Sequence, residues 1–203
     1  MKLHGLYIVT PDWDDTSKLL DVTKQAIRGG ATIVQYRHKT ASAELRRTQA
    51  TQLLRLCRDF NVPFIINDHV DLCIELNADG VHGGGTDASG EQVRQQLGAD
   101  KIIGASCYGD IELARAAAQD GASYIALGGF YPSKVKKYAV NTPPALVNQV
   151  KAEFNLPIVV IGGMTADNCA VLIEQGADMV AAISSIYAND EPKKAAQTMS
   201  GLF

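Results

Sequence analysis

Eight short runs rich in β-branched and aliphatic residues recur along the chain, and each is followed by a stretch with helical spacing. The runs lie at 5–10 (GLYIVT), 32–37 (TIVQYR), 63–67 (PFIIN), 79–82 (DGVH), 101–105 (KIIGA), 123–127 (SYIAL), 157–161 (PIVVI) and 178–182 (DMVAA). None carries the polar alternation of a half-exposed strand, so they read as strands covered on both faces, as in a parallel sheet. Helical patterns fill 16–29, 42–60, 69–77, 89–97, 110–120, 142–154, 166–175 and 190–201, with Asp110, Thr142 and Thr165 as expected N-caps. Four segments, GGATIVQ, NADGVHG, DGASYIALG and QGADMVAA, repeat one logic. A helix ends at Gly or Asn, a small residue follows, and a strand begins. Eight such alternations predict an α/β fold: a single closed (β/α)8 TIM barrel of eight parallel strands with surrounding helices. A doubly wound open sheet is the alternative.

The chain has 203 residues, 46% hydrophobic and 20% charged, which suits one catalytic domain over 1–203. A net charge of −3 lacks the dense basic face that a nucleic-acid or membrane partner would require. Cys57, Cys73, Cys107 and Cys169 are scattered without a CxxC pair, so they read as buried thiols. The opening MKLHGLYIVTP has too short an apolar run for a signal peptide or a membrane span. A reducing, cytoplasmic setting is the expectation.

Barrels of this type do their chemistry at the C-terminal ends of the strands. The second strand ends in Gln35, Arg37 and Lys39, at alternate positions that share one side. Two cations and an amide suit a diphosphate; the plainer alternative is a solvated strand end paired with carboxylates. Asp68 and Asp87 follow the third and fourth strands and offer hard oxygen ligands for Mg2+. Alternatively, Asp68 caps the helix starting near His69. Gly162-Gly163 and Ser184-Ser185 follow the last two strands, where barrels build monophosphate cradles from backbone N–H groups. His82 reads either as an acid/base or as a satisfied polar residue in the mouth. Tyr7 reads as pocket lining or core, and Trp13 as loop packing. No Ser-His-Asp or Cys-His grouping stands out. The rim therefore predicts two small phosphorylated substrates and a diphosphate leaving group, joined by ionisation and recombination rather than covalent catalysis.

Six motifs, in order, are similar to those of the thiamine-phosphate synthase family: GLYIVT, VQYRHK, IINDHVDLCIELNADGVHGGGTD, IIGASCY, GGFYPSKVKK and VIGGMTADNCAVLIEQGADMVAAISSI, from Gly5 to Ile186. The resemblance implies a transferase that condenses a hydroxymethylpyrimidine diphosphate with a thiazole phosphate, giving thiamine phosphate and pyrophosphate. It implies that Gln35, Arg37 and Lys39 grip the diphosphate, with Asn67, Ser106 and Lys136 on the same substrate and Asp68 and Asp87 on Mg2+. It implies that Ser133 and its neighbours face the thiazole phosphate, which Gly163, Ile183 and Ser184 cradle. Tyr36, His38, Lys134 and Val135 fall inside these motifs and join the substrate-binding set. Arg37, Lys39, Ser106 and Lys136 form the catalytic set. The chain departs from the family pattern at Val135, where a hydroxyl is usual, and at His38, Gly85 and Tyr138. A thiazole tautomerase of the same superfamily, a non-catalytic thiazole-phosphate-binding protein and a phosphate-binding isomerase using His82 as base stay open as alternatives, as does homo-oligomerisation.

Overall fold

Eight parallel strands close in chain order into a barrel: β1 (Gly5–Val9), β2 (Ala31–Tyr36), β3 (Phe64–Asn67), β4 (Gly80–Gly83), β5 (Ile102–Tyr108), β6 (Tyr124–Gly128), β7 (Ile158–Ile161) and β8 (Met179–Ala182). The computed structural model describes residues 3–83, 90–133 and 142–203. The helices are α1 (Thr16–Arg28), α2 (Ala43–Asp59), α3 (Val70–Leu76), α4 (Gly90–Leu97), α5 (Ile111–Gln119), α6 (Ala145–Glu153), α7 (Ala170–Glu174), α8 (Ser184–Tyr187) and α9 (Pro192–Ser200). Closure runs through β1 and β8, where Leu6 faces Val180 and Tyr7 faces Ala181. The closed parallel barrel is thus the expected fold, and the open sheet is excluded.

The strands lack polar alternation because both of their faces are buried. Along β1, Leu6 and Ile8 turn outward into a layer shared with Leu19 and Ala26 of α1, while Tyr7 and Val9 turn into the barrel. Ile33, Ile65, Tyr124, Ala126, Val159, Met179 and Ala181 fill the rest of that interior. This period-two division fixes the site above it, because the residues that continue the inward rows emerge at the mouth.

Chain reversals follow the repeat. Asn77 ends α3 at φ 51°, and Gly121, after α5, sits at φ 81°. Both occupy the left-handed region, which Gly and Asn tolerate best. Asp110 caps α5 through Glu112 N at 2.8 Å. Asp15 and Ser42 cap α1 and α2, accepting from Lys18 N at 2.9 Å and Leu45 N at 3.1 Å.

Several boundaries differ from the sequence reading. Thr142 is not an N-cap: its hydroxyl is buried without a hydrogen-bond partner among the described residues, and α6 begins three residues on, behind Pro143 and Pro144. Thr165 is not one either, because 166–168 form turns and the short α7 begins only at Ala170, with Cys169 in the cap position. β5 runs on to Tyr108, which places Ser106 within the strand, opposite Ala126 and just before a register shift against β6. The four cysteines are buried and free, as expected. Among the described residues, no helix is long and apolar enough to cross a membrane.

Candidate active site

At the C-terminal mouth, β2 presents Gln35 and then Arg37 on its inward row. Arg37 Nη1 contacts both carboxylate oxygens of Asp12, at 3.0 and 3.2 Å. Asp12 Oδ1 also accepts from Lys39 N at 2.8 Å. The loop after β1 therefore holds the end of β2 in place. Arg37 Nε is buried and has no hydrogen-bond partner among the described residues. A cation with an unfilled buried donor is suited to an incoming anion.

Lys39 reaches across to β3, where Nζ pairs with Asp68 Oδ2. Asn67 Nδ2 donates to the same carboxylate at 2.7 Å. Asp68 sits at φ 64°, a backbone state uncommon for anything but Gly, Asn or Asp. Its N–H donates to His82 O at 2.9 Å, which ties the end of β3 to β4. The helix-cap alternative for Asp68 does not hold: α3 is entered through His69 and has no side-chain cap. The carboxylate faces the cationic rim instead. A single hard carboxylate beside the cations Arg37 and Lys39 fits Mg2+, which takes one or two carboxylates and completes its shell with water and phosphate oxygens. Asp87 lies outside the described residues, and no group of three or more His, Cys, Asp or Glu suited to a metal occurs among those described.

A second cluster closes the mouth on the opposite side. Ser133, Gly162, Gly163, Ile183 and Ser184 line one pocket. Gly163 has φ 61°, and a Cβ there would stand 2.4 Å from Pro132 O. Only a glycine lets the turn after β7 lie against the β6 loop. Asn168 locks this turn, donating to Gly163 O at 2.9 Å and accepting from Thr165 N at 2.9 Å. Ser184 opens the one-turn helix α8 directly after β8. Ser185 faces away, toward Met199 Sδ at 3.9 Å.

The structure thus brings Gln35, Arg37, Lys39, Asn67, Asp68 and Ser106 to one mouth, with Ser133, Gly163, Ile183 and Ser184 in a pocket of their own. Two expected binding side chains point elsewhere. Tyr36 lies on the outward row, 2% exposed, and its hydroxyl donates to Gln49 Oε1 on α2 at 2.9 Å. Alternation dictates this, since its neighbours Gln35 and Arg37 take the inward side. His38 is buried against the loop after β1, with Nε2 3.1 Å from Asp14 Oδ1. The side chains of these two residues do not face the mouth. Lys134, Val135, Lys136 and Asp87 lie outside the described residues. Sequence reasoning missed Asp12, Asn168 and Tyr124. The acids in the run PDWDD, directly after β1, were the available signal for Asp12. Trp13 packs its loop as expected, edge-on to Tyr187 at 5.7 Å.

The polar barrel floor is continuous with this rim. Gln35 Nε2 donates to Tyr7 OH at 2.7 Å, and Tyr7 OH meets Tyr124 OH at 2.7 Å. Tyr124 OH meets His82 Nδ1 at 2.9 Å, and His82 Nε2 meets Ser106 Oγ at 2.9 Å. Burial pushes both phenols well above their ordinary pKa, so they stay protonated. His82 is thus a satisfied polar residue, with both ring nitrogens engaged.

A parallel barrel with cations, an amide and an acid on one side of its mouth and a glycine-backed pocket on the other is a (β/α)8 enzyme working at the C-terminal face. The model of the family described as thiamine monophosphate synthase matches residues 6–186. Among curated relatives, a thiamine-phosphate synthase of Janthinobacterium sp. (strain Marseille) is 61% identical over 201 residues, covering 99% of this chain and 97% of that protein. A thiamine-phosphate synthase of Nitrosospira multiformis is 46% identical, covering 100% of this chain and 86% of that protein. Among solved structures, thiamine phosphate pyrophosphorylase from Pyrococcus furiosus superposes with a TM-score of 0.86 at 27% identity, covering 98% of this chain and 94% of that one. The chain belongs to the thiamine-phosphate synthase family, and it is a transferase of thiamine biosynthesis.

Proposed function

We propose that this mouth condenses 4-amino-2-methyl-5-(diphosphooxymethyl)pyrimidine with 4-methyl-5-(2-phosphooxyethyl)thiazole by a dissociative substitution assisted by Mg2+. The bond from the pyrimidine CH2 to the diphosphate oxygen breaks, and its electron pair leaves with the diphosphate. The thiazole nitrogen then forms the new C–N bond, giving thiamine phosphate and pyrophosphate. The observation that carries this reading is Arg37 with a buried, unfilled Nε on the same mouth as the Lys39–Asp68 pair.

Gln35, Arg37, Lys39, Asn67 and Lys136 bind the diphosphate and stabilise the charge that builds on it as it departs. Asp68 and Asp87 hold Mg2+, which when bound neutralises diphosphate charge. Ser106 contacts the pyrimidine diphosphate. Gly163, Ile183 and Ser184 hold the thiazole phosphate through backbone N–H groups, with Ser133, Lys134 and Val135 alongside. The chain's main contribution is to align two reactants in one water-poor cleft. A thiazole tautomerase would have no use for the diphosphate grip. An isomerase using His82 as base is disfavoured because both ring nitrogens are committed to hydrogen bonds.

The test is an assay of pyrophosphate release with both substrates and Mg2+, for the wild type and Asp87→Ala. The variant is expected to lose at least about a hundredfold in rate, the order seen when a charge-stabilising group is removed. Undiminished release by Asp87→Ala would overturn the metal assignment, and none from the wild type would overturn the reaction.

A further inference from the structure

The buried chain Gln35–Tyr7–Tyr124–His82–Ser106 joins β2, β1, β6, β4 and β5 beneath the mouth. Its protons can be placed by counting. The Gln35 amide donates to Tyr7 OH. Tyr7 therefore spends its single proton on Tyr124, and Tyr124 spends its own on His82 Nδ1. His82 must then carry its proton on Nε2, where it is donated to Ser106 Oγ. Reversing the order would leave the Tyr7 proton facing an amide N–H deep in the barrel, at the cost of an unsatisfied buried donor. Ser106, with an acceptor site filled from below, is left to donate its own proton to a group in the mouth.

Space is reserved for this arrangement. Gly104 on β5 faces the same interior, and a Cβ there would lie 2.0 Å from Tyr124 Cζ and 2.5 Å from His82 Nδ1. The absence of a side chain at 104 is what lets the Tyr124–His82 hydrogen bond pass.

We propose that Tyr124 and His82 are positioning residues that fix the Ser106 hydroxyl as a hydrogen-bond donor, so that Ser106 selects an acceptor atom of the pyrimidine diphosphate. The inference rests on the condensation reading above for the identity of that substrate. It goes beyond that reading in giving Ser106 a direction and in assigning work to two residues that touch no ligand.

Two measurements test it. The first is nitrogen NMR of the protein with 15N-labelled histidine, the His82 signal being the one missing from His82→Gln. The wild type is expected to carry its ring proton on Nε2 alone, whereas Tyr124→Phe relaxes to a mixture of tautomers. A wild-type proton on Nδ1, or on both nitrogens, overturns the proposal even if no variant folds. The second is a double-mutant cycle of Tyr124→Phe with Ser106→Ala. Tyr124→Phe should raise KM for the pyrimidine diphosphate about tenfold, the order of one lost hydrogen bond, and leave KM for the thiazole phosphate unchanged. In the Ser106→Ala background it should add nothing. Additive losses would mean that Tyr124 does not act through Ser106, overturning the proposal. A wild type that binds substrates without releasing pyrophosphate would defeat the condensation reading alone, with the NMR result still deciding the relay.

Discussion

Asp12 grips Arg37 with both carboxylate oxygens, at 3.0 and 3.2 Å from Nη1, and shares Oδ1 with the backbone N–H of Lys39. The Arg37 side chain is 9% exposed, so solvent offers it little when this partner is removed. Asp12→Ala is expected to destabilise the protein by about 2 kcal/mol, the order of hydrogen bonds lost to a charged, poorly solvated group. For a chain of this size that is a fall of about 4–8 °C in Tm. Asp12→Asn keeps one acceptor and should fall less. Thermal denaturation followed by circular dichroism checks both, and an unchanged Tm in Asp12→Ala would show that the loop does not anchor Arg37.

Asp68 allows charge to be separated from backbone strain. The Lys39–Asp68 pair is roughly half exposed, so its loss should cost less than about 1 kcal/mol of stability. Asn tolerates the left-handed backbone at 68 at least as well as Asp. Asp68→Asn is therefore expected to melt like the wild type while pyrophosphate release drops by about a hundredfold, as when a charge-stabilising group is lost. Wild-type turnover in this variant would remove Asp68 from the metal and diphosphate machinery.

Strand content was legible because burial on both faces leaves an uninterrupted apolar run, and the eight runs became eight strands with ends shifted by up to three residues. The inward positions of Gln35 and Arg37 followed from period two alone. That same rule, applied to Tyr36, would have sent its side chain out toward Gln49. The caps at Thr142 and Thr165 failed because both helices start later: α6 begins at Ala145 behind two prolines, and a local turn that Asn168 locks through Thr165 N delays α7 to Ala170. The relay beneath the mouth was illegible for a different reason. Tyr7 and Tyr124 are 117 residues apart, and only barrel closure brings their hydroxyls together.

Gly163 is held where no side chain fits. At φ 61°, with Pro132 O only 2.4 Å from where a Cβ would sit, alanine would be both strained and in collision with backbone. Gly163→Ala should cost about 1–3 kcal/mol in stability. It should raise KM for the thiazole phosphate by more than that for the pyrimidine diphosphate, because the pocket containing Ser133, Ile183 and Ser184 shifts with the turn. Equal effects on both substrates would place the turn outside the thiazole-phosphate pocket.

The buried thiols set an alkaline limit to stability. Burial raises the Cys73 thiol from an ordinary 9.0 to about 11, and the Cys107 thiol to about 12. In the unfolded chain both would ionise near 9, so above that pH the unfolded state binds fewer protons than the folded one. The stability these thiols contribute is fully present below pH 9 and is lost progressively as pH rises toward 11 and then 12. Urea midpoints should therefore hold steady from neutrality to about 9 and fall beyond it, and Cys73→Ala with Cys107→Ala should flatten that fall. In the same range below about 9, a thiol-specific reagent should leave the native protein unmodified and label all four cysteines once it is unfolded. Rapid labelling of the native protein at neutral pH would contradict the burial on which this pH dependence depends.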